Sequence, residues 1–158
     1  MRFFSLFVLL GSVSCADPVR DDAIAALGPE TSAPGPLHRP GQPCALCHDG
    51  STAPEFAIGG TVFATQGSTD PAVGATVELD DLGGNAICKT LTNAAGNFFL
   101  HAISCNLSGP FKPKVILGDV EADMTSRVGR DRSCATCHKG VARTAKTVEG
   151  VYLNVGGN

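Results

Sequence analysis

Two short segments of the chain carry the same arrangement of cysteine and histidine. They are Cys44-Ala45-Leu46-Cys47-His48 and Cys134-Ala135-Thr136-Cys137-His138. This Cys-x-x-Cys-His spacing is the attachment sequence of c-type haem. The two thiols add to the two vinyl groups along one edge of the porphyrin, and the adjacent histidine reaches the iron from one face. The spacing therefore predicts two covalently bound haem c groups, attached through Cys44, Cys47, Cys134 and Cys137, with His48 and His138 as proximal iron ligands.

Other uses of paired cysteines fit this spacing less well. A zinc ribbon places about 15–20 residues between its two pairs, and the separation between Cys47 and Cys134 is several times larger. A thioredoxin-type pair needs a βαβ context that neither motif has. A disulfide closed over only two intervening residues is strained. Zinc and disulfides nevertheless stay open as alternatives to haem.

The second axial position of each iron needs a further ligand, and haem iron accepts histidine or methionine there. Outside the motifs the chain has only His38, His101 and, beyond the first residue, Met124. His38 lies in a proline-rich turn, and Met124 follows a polar stretch. If Phe98 points into the core, His101 points outward on the same expected strand. All three are candidate distal ligands, and solvent exposure is the alternative for each.

Cys88 and Cys105 belong to neither motif. In an oxidising compartment they are candidates for a structural disulfide, which would contribute about 3 kcal/mol in the chain-entropy description. There is a geometric objection, because a hairpin that pairs Thr92 with Asn97 would place position 88 opposite 101. Free thiols are therefore the alternative.

Residues 1–15 have the pattern of an export signal. Arg2 is followed by the apolar run 3–10, which is too short to span a bilayer, since a spanning helix takes about 20 residues. Small residues then surround Cys15. Ser12-Val13-Ser14-Cys15 also resembles a bacterial lipobox, which would place a lipid on Cys15; the alternative is ordinary secretion with Cys15 discarded. Both predict an exported protein in the periplasm, at the outer membrane or at the cell surface.

Composition narrows the fold class. Of 158 residues, 17% are charged, against the usual quarter, and the chain has 19 glycines, 10 prolines and no tryptophan. Such a chain favours short strands and turns over a helical bundle, and its length excludes a large α/β enzyme. A net charge of −3 does not indicate the basic surface that nucleic-acid binding requires.

Short β-type runs fill the region between the motifs. They predict a small antiparallel β-sandwich at 57–118, flanked by haem-binding segments at 16–56 and 119–158, with one short helix within 17–28. The expected strands are 58–64, 75–80, 87–92, 97–103 and 111–117. The turn at 93–96 predicts a hairpin between the third and fourth of these, and Pro113 predicts that the start of the fifth lies at an edge.

The middle region resembles the carboxypeptidase regulatory-like, transthyretin-type β-sandwich. The matching residues are Gly60-Thr61-Val62, the run 71–79 and the run 92–98. The resemblance covers about 57–118 and implies the sandwich fold. It implies nothing about catalysis, since no peptidase residues are present.

The complete chain resembles small dihaem and multihaem c-type cytochromes of bacterial envelopes. The resemblance depends on residues 44–48 and 134–138, and more loosely on 37–43 leading into the first motif. It implies haem attachment outside the cytoplasmic membrane, single-electron transfer rather than enzymatic catalysis, and other envelope redox proteins as partners. We expect no nucleic-acid partner and no membrane contact except through a lipid on Cys15; self-assembly is not indicated. The alternative is a cell-surface binding or sensory module with structural or gas-binding haems.

Overall fold

Residues 17–139 and 148–154 are described by a computed structural model of the chain, which is mainly β, as the composition predicts. The sequence of elements begins with one helix and continues with seven strands. They are α1 (Pro18–Ala25), β1 (Phe56–Phe63), β2 (Thr76–Asp80), β3 (Ala86–Leu91), β4 (Asn97–His101), β5 (Lys112–Leu117), β6 (Val120–Asp123) and β7 (Val151–Tyr152), with 3₁₀ turns at Cys44–Leu46 and Cys134–Thr136.

The strands form two sheets of a sandwich. One sheet has the order β4-β1-β7, in which β1 pairs antiparallel with β4 and parallel with β7. The other has the order β3-β2-β5-β6, and all its neighbours are antiparallel. The expected β-sandwich is confirmed.

The core lies between the two sheets. The alternation predicted for β2 is present, because Val77 and Leu79 are fully buried while Glu78 between them is partly exposed. The core also contains large side chains from the strands β1, β4 and β5 and from the residue before β5, and these are Ile58, Val62, Phe98, Val115 and Phe111. β1 is unusual because Phe56–Val62 is buried throughout, so both of its faces are covered.

The hairpin expected at 93–96 is wrong. β3 pairs with β2 and β4 pairs with β1, so this turn carries the chain from one sheet to the other. The turn chemistry itself is present: the Asn93 side-chain oxygen accepts from the backbone N–H groups of Ala95 and Asn97. A Cβ at Gly96 would lie 2.4 Å from the Val62 carbonyl oxygen, so only glycine fits there.

The sheet change removes the objection to the disulfide. Cys88 lies on β3 of one sheet, and Cys105 follows β4 of the other. A disulfide joins them, with Cα atoms 6.1 Å apart. This bridge therefore holds the two sheets together across the core.

β5 as a whole lies between β2 and β6. Its start lies at an edge, as expected, because Pro113 is beyond the last residue pair between β5 and β6, Lys114 with Asp123. The sandwich also extends past the expected boundary at 118, since β6 and β7 belong to the C-terminal segment. That segment is thus built into the sheets.

The expected helix is present as α1. Asp17 caps it by accepting a hydrogen bond from the Arg20 backbone N–H at 3.2 Å, and Pro18 occupies the first turn. None of its residues is buried.

Within the described ranges, no helix has the length and apolar character needed to cross a bilayer. The predicted signal segment and Cys15 lie outside the described residues.

Candidate cofactor sites

The two Cys-x-x-Cys-His motifs adopt the same local structure. In the first, the Cys44 carbonyl accepts hydrogen bonds from the backbone N–H groups of Cys47 and His48, at 3.2 and 2.9 Å. In the second, the Cys134 carbonyl accepts from Cys137 and His138 at 3.2 and 2.8 Å. Each motif is therefore one tight turn that brings its two thiols and its histidine to the same cavity, as described below.

Both motif histidines are held by the same ring atom. His48 Nδ1 lies 3.0 Å from the Pro54 carbonyl oxygen, and His138 Nδ1 lies 2.7 Å from the Glu149 carbonyl oxygen. A carbonyl only accepts, so Nδ1 carries the proton in each ring and Nε2 is left with its lone pair. This is the tautomer and second-sphere contact found in histidines that bind a metal through Nε2.

Adjacent glycines of β1 seat the two motifs. A Cβ on Gly59 would lie 3.2 Å from both Cβ and Sγ of Cys44, and a Cβ on Gly60 would lie 2.9 Å from Cys134 Cβ. Neighbouring residues of a strand face opposite sides of the sheet. The first cysteines of the two motifs therefore contact β1 from opposite sides, one residue apart. The sequence signal was a Gly-Gly pair within an apolar strand, which marks close approach of another segment.

The first motif lines a cavity of about 410 Å³ that we call the outer cavity. Cys44, Cys47 and His48 all border it. So do Phe99 and His101, which lie on the face of β4 opposite to the core residue Phe98. The outer cavity is thus a recess against the outer face of the three-stranded sheet.

Aromatic rings form much of the wall of the outer cavity. The Phe56 ring stacks on His48 with ring centroids 3.8 Å apart, and on Phe99 at 4.8 Å. His101 meets the edge of Phe56 at 5.2 Å. His38 borders the same cavity, with its ring centroid 5.9 Å from that of His48. The structure therefore brings both candidate distal histidines to the first motif.

The second motif lines a larger cavity of about 530 Å³ that we call the inner cavity. Cys134, Cys137 and His138 all border it, together with core side chains from both sheets, namely Ile58, Phe98, Val77 and Val115. The inner cavity therefore opens between the sheets. Met124, just past β6, borders it too, and its backbone N–H donates to the Pro113 carbonyl at 3.0 Å.

Both cavities are large enough to be candidate cofactor sites. Their volumes lie in the usual range for cofactor sites, roughly 300–1,000 Å³. The Ser133 hydroxyl, next to Cys134 on the inner cavity, is buried without a hydrogen-bond partner. Buried hydroxyls are nearly always hydrogen-bonded, so this one fits a polar group of a bound cofactor. Within residues 17–139 and 148–154, no cluster of three or more His, Cys, Asp or Glu is arranged for a bare metal ion.

The first cysteine of each motif is partly buried and is held as a neutral thiol. Burial raises the pKa of Cys44, and it raises the pKa of Cys134 to about 12, with the nearby Cys44 adding to the effect. Since the thiolate is the reactive form, both thiols stay protonated and slow to oxidise at neutral pH. Cys137 is exposed.

Side chains anchor the first motif. The Arg20 guanidinium donates to the Leu46 carbonyl and the Thr52 hydroxyl, both at 2.8 Å, and pairs with Asp49 at 3.1 Å. Hydrogen bonds to Asp49, chiefly from the Ser51 backbone N–H, lower the pKa of that carboxyl to about 2. Arg20 therefore ties α1 to the loop that contains the first motif.

Backbone pairing anchors the second motif. The Gly59 N–H donates to the Arg132 carbonyl at 2.9 Å, which places Ser133 alongside β1. After the motif, the Lys139 N–H donates to the Val148 carbonyl at 3.0 Å. An ion pair between Arg132 and Glu55 adds a side-chain contact. The second motif is thus continuous with the sheet.

Comparison of the chain with protein-family models, with curated proteins and with solved structures found no match.

Proposed function

We propose that the protein is a dihaem c-type cytochrome that carries single electrons between redox partners of the bacterial envelope. One observation supports this above all. Each Cys-x-x-Cys-His turn presents both cysteines and its histidine to one largely apolar cavity, and the histidine Nδ1 is fixed on a backbone carbonyl. Bound haem would supply an iron that gains and loses one electron at a time.

The position of the two motifs supports a carrier with two centres. Cys44 and Cys134 contact adjacent residues of β1, so a single strand separates the two attachment points. The chain's own side chains would set each potential through burial, polarity and the second axial ligand. The Cys88–Cys105 bridge, which borders neither cavity, would hold the sandwich that positions both motifs.

The export signal expected at 1–15 agrees with this proposal, because haem c is attached outside the cytoplasmic membrane. We propose that other envelope redox proteins are the donor and acceptor, and that membrane contact comes only through a lipid on Cys15 where that residue is retained.

Expression with a c-type maturation system tests the proposal. Intact mass and haem staining of the denatured protein should report two covalent haems. Cys44→Ala/Cys47→Ala and Cys134→Ala/Cys137→Ala should each remove one haem and keep the other. The control Cys88→Ala/Cys105→Ala should keep both, at lower yield. A mature protein without haem would overturn the proposal.

A functional test separates the carrier from the sensory module. A carrier should be reduced and reoxidised rapidly by a small soluble c-type cytochrome, and its reduced spectrum should be unchanged by CO. Haems that bind CO and exchange electrons slowly would favour the gas-binding module instead.

A further inference from the structure

We infer that the two haem sites use different distal ligands, His38 at the outer cavity and Met124 at the inner cavity, and that the inner site therefore has the higher reduction potential. This rests on the proposed function. The inference assigns His38 to one site and Met124 to the other, an assignment that the sequence leaves open.

The outer site has two histidines beyond its own motif. An imidazole nitrogen binds a transition metal at about 2 Å, so two rings on opposite sides of one iron have centroids roughly 6 Å apart. The His38 and His48 centroids are 5.9 Å apart. His101 is instead packed edge-on against Phe56 and Phe99, at 5.2 and 5.5 Å. His38 is thus the partner of His48, and His101 is part of the aromatic wall.

The backbone around His38 is fixed from the sandwich. The Asn97 side-chain N–H donates to the His38 carbonyl at 2.9 Å, and the Asn93 side chain donates to the Pro36 carbonyl at 2.6 Å. Asn93 of the turn between the sheets and Asn97 at the start of β4 therefore hold the proline-rich segment beside the first motif. Such support is what keeps a ligand in place in both oxidation states.

The inner site offers Met124 and Tyr152 as side chains of the types that bind haem iron. Tyr152 lies on β7, shortly after Glu149, whose carbonyl holds His138; it belongs to the proximal side. Tyr152 also borders a neighbouring cavity of about 220 Å³ that Cys137 does not reach. Met124 follows β6, which belongs to the other sheet, so it reaches the inner cavity from a different sheet than β7.

The two ligand sets predict which site has the higher reduction potential. A methionine ligand raises the potential of haem iron relative to two histidines. In a reductive titration with dithionite, the inner site should therefore be reduced from Fe(III) to Fe(II) before the outer site.

Two matched pairs of variants test the assignment in the holoprotein. His38→Ala should convert one ferric site from low spin to high spin, whereas His101→Ala should leave both unchanged. Met124→Ala should abolish the sulfur-to-iron charge-transfer band in the red and lower the upper potential, whereas Tyr152→Phe should do neither. If His38→Ala is poorly folded, His38→Met should add a second charge-transfer band.

The outcomes separate the inference from the proposed function. Loss of low-spin signal in His101→Ala, or an unaltered spectrum in His38→Ala, overturns the outer assignment. A wild-type protein with two haems but no sulfur-to-iron band overturns the inner assignment and the order of potentials. A protein with no covalent haem overturns the proposed function as well.

Discussion

The outer and inner cavities present one attachment motif to two different environments. The outer cavity is a recess on one sheet, walled by stacked aromatic rings and by two histidines besides His48. The inner cavity lies between the sheets, walled by aliphatic side chains and by polar ones such as Asp123 and Asp131, and bordered by Met124. In both, a backbone carbonyl outside the motif, that of Pro54 or Glu149, holds Nδ1 of the motif histidine. What differs is the packing around it, and that packing comes from the sandwich.

The anchoring of the two motifs differs in the same way. The first motif is held to α1 by the exposed or partly exposed side chains of Arg20 and Asp49. The second continues a backbone ladder alongside β1. Changes to Arg20 or Asp49 should therefore loosen the first motif alone. Changes to the sandwich should reach the second motif first.

The largest effect is expected from removing the bridge between the sheets. Cys88→Ala/Cys105→Ala should lower the free energy of unfolding by about 2–4 kcal/mol. It should also alter the potential of the inner site more than that of the outer site, because only the inner cavity has walls from both sheets. Chemical denaturation and a redox titration measure the two effects. Equal shifts at both sites would mean that the distinction between the cavities is wrong.

The second largest effect is expected from Gly60→Ala. Its Cβ would lie 2.9 Å from Cys134 Cβ and from the Phe98 ring, so the core must shift, at a cost of about 1–3 kcal/mol. We expect lower occupancy of the second motif and normal occupancy of the first.

Two further glycine variants calibrate that result. Gly59→Ala meets Cys44 less closely, at 3.2 Å, so it should cost less and affect the first motif. Gly109→Ala, with open space around its Cβ, should be neutral. Thermal unfolding and haem content distinguish all three, and identical behaviour of the Gly59 and Gly60 variants would contradict the two-sided arrangement.

Arg20→Ala should have a smaller effect, about 1 kcal/mol, through the lost hydrogen bond to the Leu46 carbonyl. Hydrogen exchange should quicken over residues 44–52 and stay unchanged over 132–138. Arg130→Ala, at an exposed position of the same charge, is the control and should change neither segment. Faster exchange in both segments would show that the motifs are not anchored independently.

The smallest effect is a pH dependence confined to the first motif. Hydrogen bonds lower the pKa of Asp49 to about 2, so its contribution is present above its unfolded pKa of about 3.9 and is lost as the pH falls through about 2. Protection of residues 44–52, measured relative to the intrinsic exchange rate at each pH, should therefore fall on acidification across that range. Asp49→Asn should remove this fall, and a fall of the same size in the variant would assign it to other groups.

Local signals in the sequence predicted the local structure well. Asp17 and Pro18 start a helix, and the alternation at 75–80 is a strand with one buried face. The turn at 93–96 was also located. The sequence did not show that this turn joins two sheets, because turn residues specify a bend and do not specify the partner of the strand that follows.

The features that depend on distant contacts could not be predicted. β6 and β7 are only four and two residues long, too short for a periodic pattern, and they form by pairing with β5 and β1. The sequence indicated His38, His101 and Met124 as candidate ligands but did not assign any of them to one haem site. That assignment depends on which cavity each residue borders. The roles of Arg20 and Gly59–Gly60 could not be predicted, because they depend on the segments that pack against these residues.

The central claim is that each Cys-x-x-Cys-His turn holds one haem covalently. Intact mass spectrometry of the mature protein, made with a c-type maturation system and denatured before analysis, tests it most directly. The account predicts the polypeptide plus two haems, and one haem fewer in each double cysteine variant of a motif. The mass of the bare polypeptide, or a mass unchanged by those variants, would contradict it.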